Sequence, residues 1–153
     1  MDDYEAMGAA LKEADAALEQ GEVPVGAVIV QNGCIVAAAH NRREEWTDPT
    51  AHAEMIAMRE AARVLGRRRL QSCTLYVTLE PCPMCAGAAL AAQLGRIVFG
   101  APDPEKGCCG SVYALPEDPA LDGNIPCDGP LRCEESRERL TCFFEQHRDK
   151  KAP

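Results

Sequence analysis

Two short segments of this 153-residue chain carry side chains whose types and spacing suit a metal: His52-Ala53-Glu54 and Pro81-Cys82-Pro83-Met84-Cys85. Two thiolates separated by two residues at a helix start can share one zinc ion, and an imidazole supplies a third ligand. Three protein ligands leave a fourth position for water, whereas a structural site closes with a fourth protein ligand. Cys108 and Cys109 are adjacent, so they are not spaced to complete such a closed site. Zinc lowers the pKa of a bound water to about 7, which makes hydroxide available near neutral pH. Glu54, two residues after His52, is placed to carry protons to and from that water without being a ligand.

Each motif alone has other meanings. A Cys-x-x-Cys that follows a strand and opens a helix is also where a thioredoxin-like redox pair sits. A zinc-stabilised binding module with no catalytic role is a further reading. Neither accounts for His-x-Glu. The two motifs together, in this order, are the known signature of zinc nucleobase deaminases, which hydrolyse an exocyclic amine to a carbonyl and release ammonia.

These residues need elements that bring two helix starts together. Tyr4, Met7, Leu11, Ala14 and Leu18 recur at three- and four-residue steps and predict an opening helix with one buried face, ended by Gly21. Val25 to Val30 and Cys34 to Ala39 predict two strands joined by an Asn32-Gly33 turn. Asp48 and Thr50 are candidate caps for a helix that runs to Gly66. Thr74 to Leu79 reads as a buried strand. A helix from the Pro81-Pro83 turn to about Leu94 follows, then a strand from Arg96 to Gly100. Ile125 to Cys127 reads as an edge strand because Pro126 cannot sit in a central one, and Glu134 to Gln146 as a last helix. This alternation predicts an α/β sandwich whose sheet combines an antiparallel hairpin with parallel crossover strands, with functional residues where helices begin. No linker or repeat divides the chain, so residues 1–153 read as one domain, with 133–153 a C-terminal helix and tail.

The net charge of −8 and pI near 4.9 exclude a broad basic nucleic-acid surface, so any RNA contact has to be local. The basic stretch Arg59, Arg63, Arg67, Arg68 and Arg69 reads as a solvated face. No export signal or bilayer-length apolar run is present, which predicts the cytoplasm and no membrane partner. Nine cysteines, an odd count, point to reduced thiols and metal ligands rather than a disulfide framework. Cys34, Cys73, Cys127, Cys133 and Cys142 read as small buried hydrophobes.

Beyond the ligands, Glu22-Val-Pro-Val-Gly-Ala27, Asp48-Pro-Thr-Ala-His-Ala-Glu54, Thr78-Leu-Glu-Pro-Cys-Pro-Met-Cys-Ala-Gly-Ala88 and Gly107-Cys-Cys-Gly-Ser111 resemble the bacterial tRNA-specific adenosine deaminase family, over roughly residues 4–115. The resemblance implies a cytidine-deaminase-like, three-layer α/β/α sandwich around a mixed sheet of about five strands. It implies conversion of the wobble adenosine of a tRNA anticodon loop to inosine, by a homodimer with one zinc per chain and no organic cofactor. By position, His52, Cys82 and Cys85 match the zinc ligands and Glu54 the proton shuttle. Asn41 matches the amide that holds the purine, and Asp103 an acidic loop residue near the substrate backbone. Read on their own, Asn41 is equally a turn residue ending a strand, and Asp103 a turn residue between Pro102 and Pro104.

The chain departs from the family near its end. It reads Leu121-Asp-Gly-Asn-Ile-Pro126 where the family often has Asn-His, and its last helix is less basic. Phe143 and Phe144 are a candidate stacking pair, at least one of them core, and Arg148, Lys150 and Lys151 are candidate phosphate contacts. His147 reads as a solvated helix residue, and His40 as a strand-end residue rather than a fourth ligand. The competing reading is a deaminase of a free base, guanine or cytosine, on the same scaffold. Guanine deaminases tend to carry Pro-Phe-Gly where this chain has Pro24-Val25-Gly26.

Overall fold

In the computed structural model of the chain, which describes residues 1–148, Asn32 and Gly33 both take positive φ, 50° and 75°. That is the backbone of a tight hairpin turn matched to strand twist. The turn joins β1 (Gly26–Gln31) to β2 (Cys34–His40) in antiparallel register. β1 also pairs antiparallel with β3 (Cys73–Leu79), and β3 pairs parallel with β4 (Arg96–Ala101). β5 (Cys127–Asp128) adds a short parallel edge beside β4, giving a five-stranded mixed sheet in the order β2-β1-β3-β4-β5.

Side-chain alternation along the strands divides the core in two. Val28, Val30, Tyr76 and Val98 pack against Ala6, Met7, Ala10 and Leu11 of α1 (Asp3–Glu19). Ala27, Ile29, Leu75, Val77, Ile97 and Phe99 face the other way, onto Ala53, Ala57, Met58 and Ala61 of α2 (Ala53–Leu65) and Ala89 of α3 (Pro83–Ala92). α4 (Cys133–Arg148) lies beside α1 and contacts β4. The result is the predicted three-layer α/β/α sandwich. β1 is buried on both faces and approaches α1 closely: a Cβ on Gly26 would run into the Ala10 carbonyl oxygen, so only glycine fits there.

Several local expectations need correction. Tyr4 is 58% exposed instead of core; it lies beside the 130s segment, and the Arg132 guanidinium covers its ring 4.1 Å from the centroid. Asp48 and Thr50 do not cap α2: the Asp48 carboxylate accepts from the Thr50 backbone and hydroxyl in its own turn, and His52 is the N-cap residue. α3 stops at Ala92, where Gln93 takes a left-handed φ of 54°, short of the expected Leu94. The edge strand is Cys127–Asp128, shifted past Pro126, whose missing N–H leaves only its carbonyl to bond, to the Ile97 N–H. Cys34 is exposed, on the edge strand β2, and Cys127, Cys133 and Cys142 are only half-buried. Lys150 and Lys151, with the rest of 149–153 and the side chain of Arg148, lie outside the described residues. Among the described residues, no helix is long and apolar enough to cross a membrane.

One polar cluster ties the ends of the sheet to α1. Arg96 donates to both carboxylate oxygens of Asp3 (2.8 and 2.9 Å) and to Asp128 (2.8 Å), while the Tyr76 hydroxyl donates to Asp3 (2.6 Å). The hydrogen bond from Arg96, then that from Tyr76, holds the Asp3 carboxyl below its ordinary value of 3.8. A depressed carboxyl stabilises the fold above its unfolded value and loses that contribution as pH falls through the folded one. Asp3→Asn should therefore cost about 1 kcal/mol or less at pH 7, since the pair is partly exposed. Urea unfolding of the variant and parent should converge as pH drops below 3.8; an unchanged gap in acid would show that the carboxylate's charge plays no part.

Candidate active site

β2 and β3 are each antiparallel to β1, so they run in the same direction and end at the same end of the sheet. β2 leads into the 41–52 loop and the start of α2; β3 leads directly into the start of α3. His52 is the N-cap of α2 and Cys82 the N-cap of α3, both with extended backbone. Pro83 at the first turn of α3 has the preset φ of a helix start. The candidate residues thus sit where helices begin.

His52 Nδ1 lies 3.6 Å from Cys82 Sγ and 3.5 Å from Cys85 Sγ, and the three donor atoms all fall within 4.8 Å of one another. Ligands on one tetrahedral zinc, with Zn–S about 2.3 Å and Zn–N about 2.0–2.1 Å, stand roughly 3.5–3.8 Å apart. The two edges from His52 therefore have the lengths that zinc requires. The electrostatics point the same way: hydrogen bonds from the Cys85 thiol and then the His52 ring pull Cys82 down to about 3, while that first bond pushes Cys85 up. The bond to Cys82 also raises His52. Donors this close compete for protons, and a dication among them satisfies all three lone pairs.

Glu54, in the first turn of α2, is 4% exposed, and desolvation by burial raises its carboxyl pKa. A raised carboxyl takes up and holds a proton near neutral pH more readily than an ordinary one, as a shuttle must. His52, Glu54 and Cys82 line a cavity of about 130 Å³ whose other walls include Asn41, Arg43, Asp103 and Lys106. His52, Cys82, Glu54, Asn41 and Asp103 thus meet at one cavity, while Cys85 is buried beside it and Phe143 and Phe144 line neighbouring cavities. Val23, Asn41 and Arg43 also line an adjoining cavity of about 300 Å³ reaching Phe143 and His147. A larger cavity, about 610 Å³, lies at the opposite ends of β3 and β4 around Gln71 and Gly95 and contains none of the metal donors.

Both side-chain ends of Asn41 are engaged. Its Nδ2 donates to the Val23 carbonyl (3.0 Å), and its Oδ1 accepts from the Ala53 N–H (2.8 Å). Asn41 thus satisfies one of the open N–H groups of α2, a task His52 cannot perform because its ring faces the two sulfurs. Asp103 accepts from the Glu105 and Lys106 N–H groups (3.0 and 3.2 Å), which makes it the hinge of its own turn as well as cavity wall. His40 bonds the Asn41 carbonyl and is no ligand. His147 is not a freely solvated residue: its ring stacks on Phe143 with centroids 3.9 Å apart.

Two residues of the site have no motif of their own. Glu22 and Glu80 are each 2% exposed, and their carboxylates accept backbone N–H groups from the loops that wall the cavity. Burial raises the Glu80 pKa, but the Ser111 hydroxyl and the Ser111, Asp103 and Cys109 N–H groups outweigh it and hold the carboxyl below the usual glutamate value. The only sequence signal was position, within Glu22-Val-Pro and Glu80-Pro-Cys.

Residues 1–101 match the family model for the cytidine and deoxycytidylate deaminase zinc-binding region. The chain is 47% identical over 145 residues to the tRNA-specific adenosine deaminase of Bacillus subtilis, covering 95% of this chain and 90% of that protein. A solved structure from a study of A-to-I editing by tRNA:A34 deaminases at the wobble position superposes with a TM-score of 0.85 at 42% identity, covering 89% of this chain and 99% of that one. The guanine deaminase of Bacillus subtilis is more distant, with a TM-score of 0.66 and 32% identity over 97% of this chain and 95% of that one. On the strength of these matches and of the site they surround, the chain belongs to the zinc-binding cytidine and deoxycytidylate deaminase family, among the tRNA-specific adenosine deaminases.

Proposed function

We propose that this chain hydrolyses the wobble adenosine of a tRNA anticodon to inosine, with one zinc per chain held by His52, Cys82 and Cys85. The observation that carries this reading is the close triangle of metal donors, with buried Glu54 beside it, at a cavity in a chain 47% identical to a tRNA-specific adenosine deaminase. Zinc bound there would supply a water acidic enough to ionise near neutral pH. Glu54 takes one proton from the attacking water and delivers it to the ring nitrogen beside the attacked carbon, then takes the second from the hydroxyl formed on that carbon and delivers it to the departing amine, which regenerates the carboxylate. Water and adenosine enter; inosine and ammonia leave. Burial excludes bulk water from this transfer and keeps the carboxyl close to the reacting atoms.

Asn41 and Asp103 serve as substrate contacts in this reading, Asn41 through the Nδ2 hydrogen left over from its bond to Val23. An anticodon nucleotide is already partly unstacked, so its extrusion costs less than from a duplex, and flanking bases add binding energy that a free base lacks. Phe144, 58% exposed, offers a stacking face beside Pro102 and Pro104, whereas Phe143 is core. Free-base deamination of guanine is the second reading, supported by the 32% identity to a guanine deaminase.

A homodimer fits α3, whose ten residues Pro83–Ala92 include no polar side chain except that of Cys85 and which leaves Gly87 and Ala91 exposed. Nine free thiols fit the reducing cytoplasm.

Four outcomes are expected. Glu54→Gln should retain zinc and fold by elemental analysis and circular dichroism yet lose at least about a hundredfold in kcat; turnover near the parent's would remove Glu54 from its role. Cys82→Ala should lose zinc and melt at lower temperature, because metal binding and folding are linked. An anticodon stem-loop RNA with adenosine at the wobble position should be deaminated far faster than free adenosine, guanine or cytosine, and faster turnover of guanine would favour the second reading. In sedimentation the protein should run at twice its 16.5 kDa chain mass.

A further inference from the structure

Two loops outside the helices and main strands, residues 41–52 and 102–114, both line the catalytic cavity, and each brings one cation to it: Arg43 and Lys106. Each loop is fastened by one buried glutamate. The two oxygens of Glu22 accept from the Glu44 N–H (both 3.1 Å) and one of them from the Glu45 N–H (2.8 Å), the residues that directly follow Arg43. Glu80 accepts from the N–H groups of Asp103 (3.0 Å), Cys109 (2.9 Å) and Ser111 (3.0 Å) and from the Ser111 hydroxyl, donors that bracket Lys106. The Glu80 carboxyl also fills the space over Gly107, where any Cβ would strike it. Neither glutamate pairs with a cation among the described ion pairs.

Burying a carboxylate is costly unless its lone pairs are used, and here they are used on loop backbone. A carboxylate suits that task because it accepts at both oxygens and brings no donor of its own. The substrate of the proposed reaction is a polyanion, and the chain carries a net charge of −8, so a phosphodiester meets repulsion everywhere but at a few cations. Those cations contribute most when their loops are already ordered, because each long side chain immobilised on binding costs about 0.5–1.5 kcal/mol.

Resting on the RNA reading above, we propose that Glu22 and Glu80 are positioning residues for substrate affinity, each fixing the loop that presents a phosphate-contacting cation, Arg43 or Lys106, at one side of the cavity. Glutamine is nearly isosteric with glutamate, yet its NH₂ would face N–H donors and release the loop. It also removes a negative charge, which by long-range field alone would strengthen RNA binding. Positioning and simple electrostatics therefore predict opposite signs.

The test uses the zinc-loaded protein and the anticodon stem-loop RNA, with Glu80→Gln, Lys106→Ala and the double variant. Glu80→Gln should raise KM roughly 3- to 10-fold, with kcat within about twofold and zinc content unchanged. It should also flatten the dependence of log KM on log salt concentration by about one phosphate contact, as Lys106→Ala does. In the Lys106→Ala background Glu80→Gln should add little, because the cation it positions is gone. Independent, additive effects on log KM, a lowered KM, or an unchanged salt slope would each overturn the proposal. If Glu80→Gln loses zinc or unfolds, Glu22→Gln with Arg43→Ala, farther along the chain from the cysteine donors, decides by the same comparison. A parent protein that leaves the stem-loop untouched overturns the RNA reading and this proposal together; one that deaminates it while the variant effects add overturns the proposal alone.

Discussion

An imidazole thirty and more positions from two thiols can stand within 4.8 Å of both only if two helices begin at the same end of one sheet. That requirement fixes the strand directions. Because β1 pairs antiparallel with both neighbours, β2 and β3 point the same way, and the helices that follow them start side by side. α2 and α3 must then share one face of the sheet, which leaves α1 and α4 to cover the other. The alanines at 53, 57, 61 and 89 let those two helices lie close to the strands that aim them. The layers are thus a consequence of the geometry of the donors as much as a way of burying apolar surface.

Charge inside this acidic chain is managed in two ways. Glu22, Glu54 and Glu80 are all under 5% exposed, and water stabilises none of them substantially. Glu22 and Glu80 are met by convergent N–H groups, which makes them fixed points for the loops. Glu54 is dominated by desolvation, which brings its protonated and ionised forms closer in free energy. The same residue type therefore anchors backbone at two positions and is suited to exchange protons at the third, and the difference lies in how many donors surround it.

The parts of this design written in local sequence were legible. Asn32-Gly33 announces its turn because few other pairs tolerate two positive φ angles, and Gly66 ends α2 in the left-handed conformation that glycine favours. The candidate metal donors were legible because few residue types bind zinc and their spacing follows the helix. What failed depended on distant partners. Tyr4 has the right period for the core but is covered by Arg132, 128 residues away. The acceptor for the first N–H of α2 comes from Asn41, not from the adjacent Asp48 or Thr50. Glu22 and Glu80 bond only to backbone or serine in loops about 20 to 30 residues away, and backbone N–H groups have no residue signature.

The β1–β3 ladder, which registers Ala27 against Val77, has a bearing on how the chain reaches this structure. Closing that ladder encloses β2 and α2 in a single long loop, and the entropy of closure is lost before the pairing returns anything. The β1–β2 hairpin, closed by a two-residue turn, has no such delay. Since Cys82 follows β3 directly and His52 lies inside the loop, the donors are separated until the slower pairing is made. The Cys82–Cys85 pair, by contrast, is local to one turn of helix and can gather a thiophilic ion on its own. The topology therefore keeps the two thiols together from the start and brings the imidazole to them only when the sheet is complete.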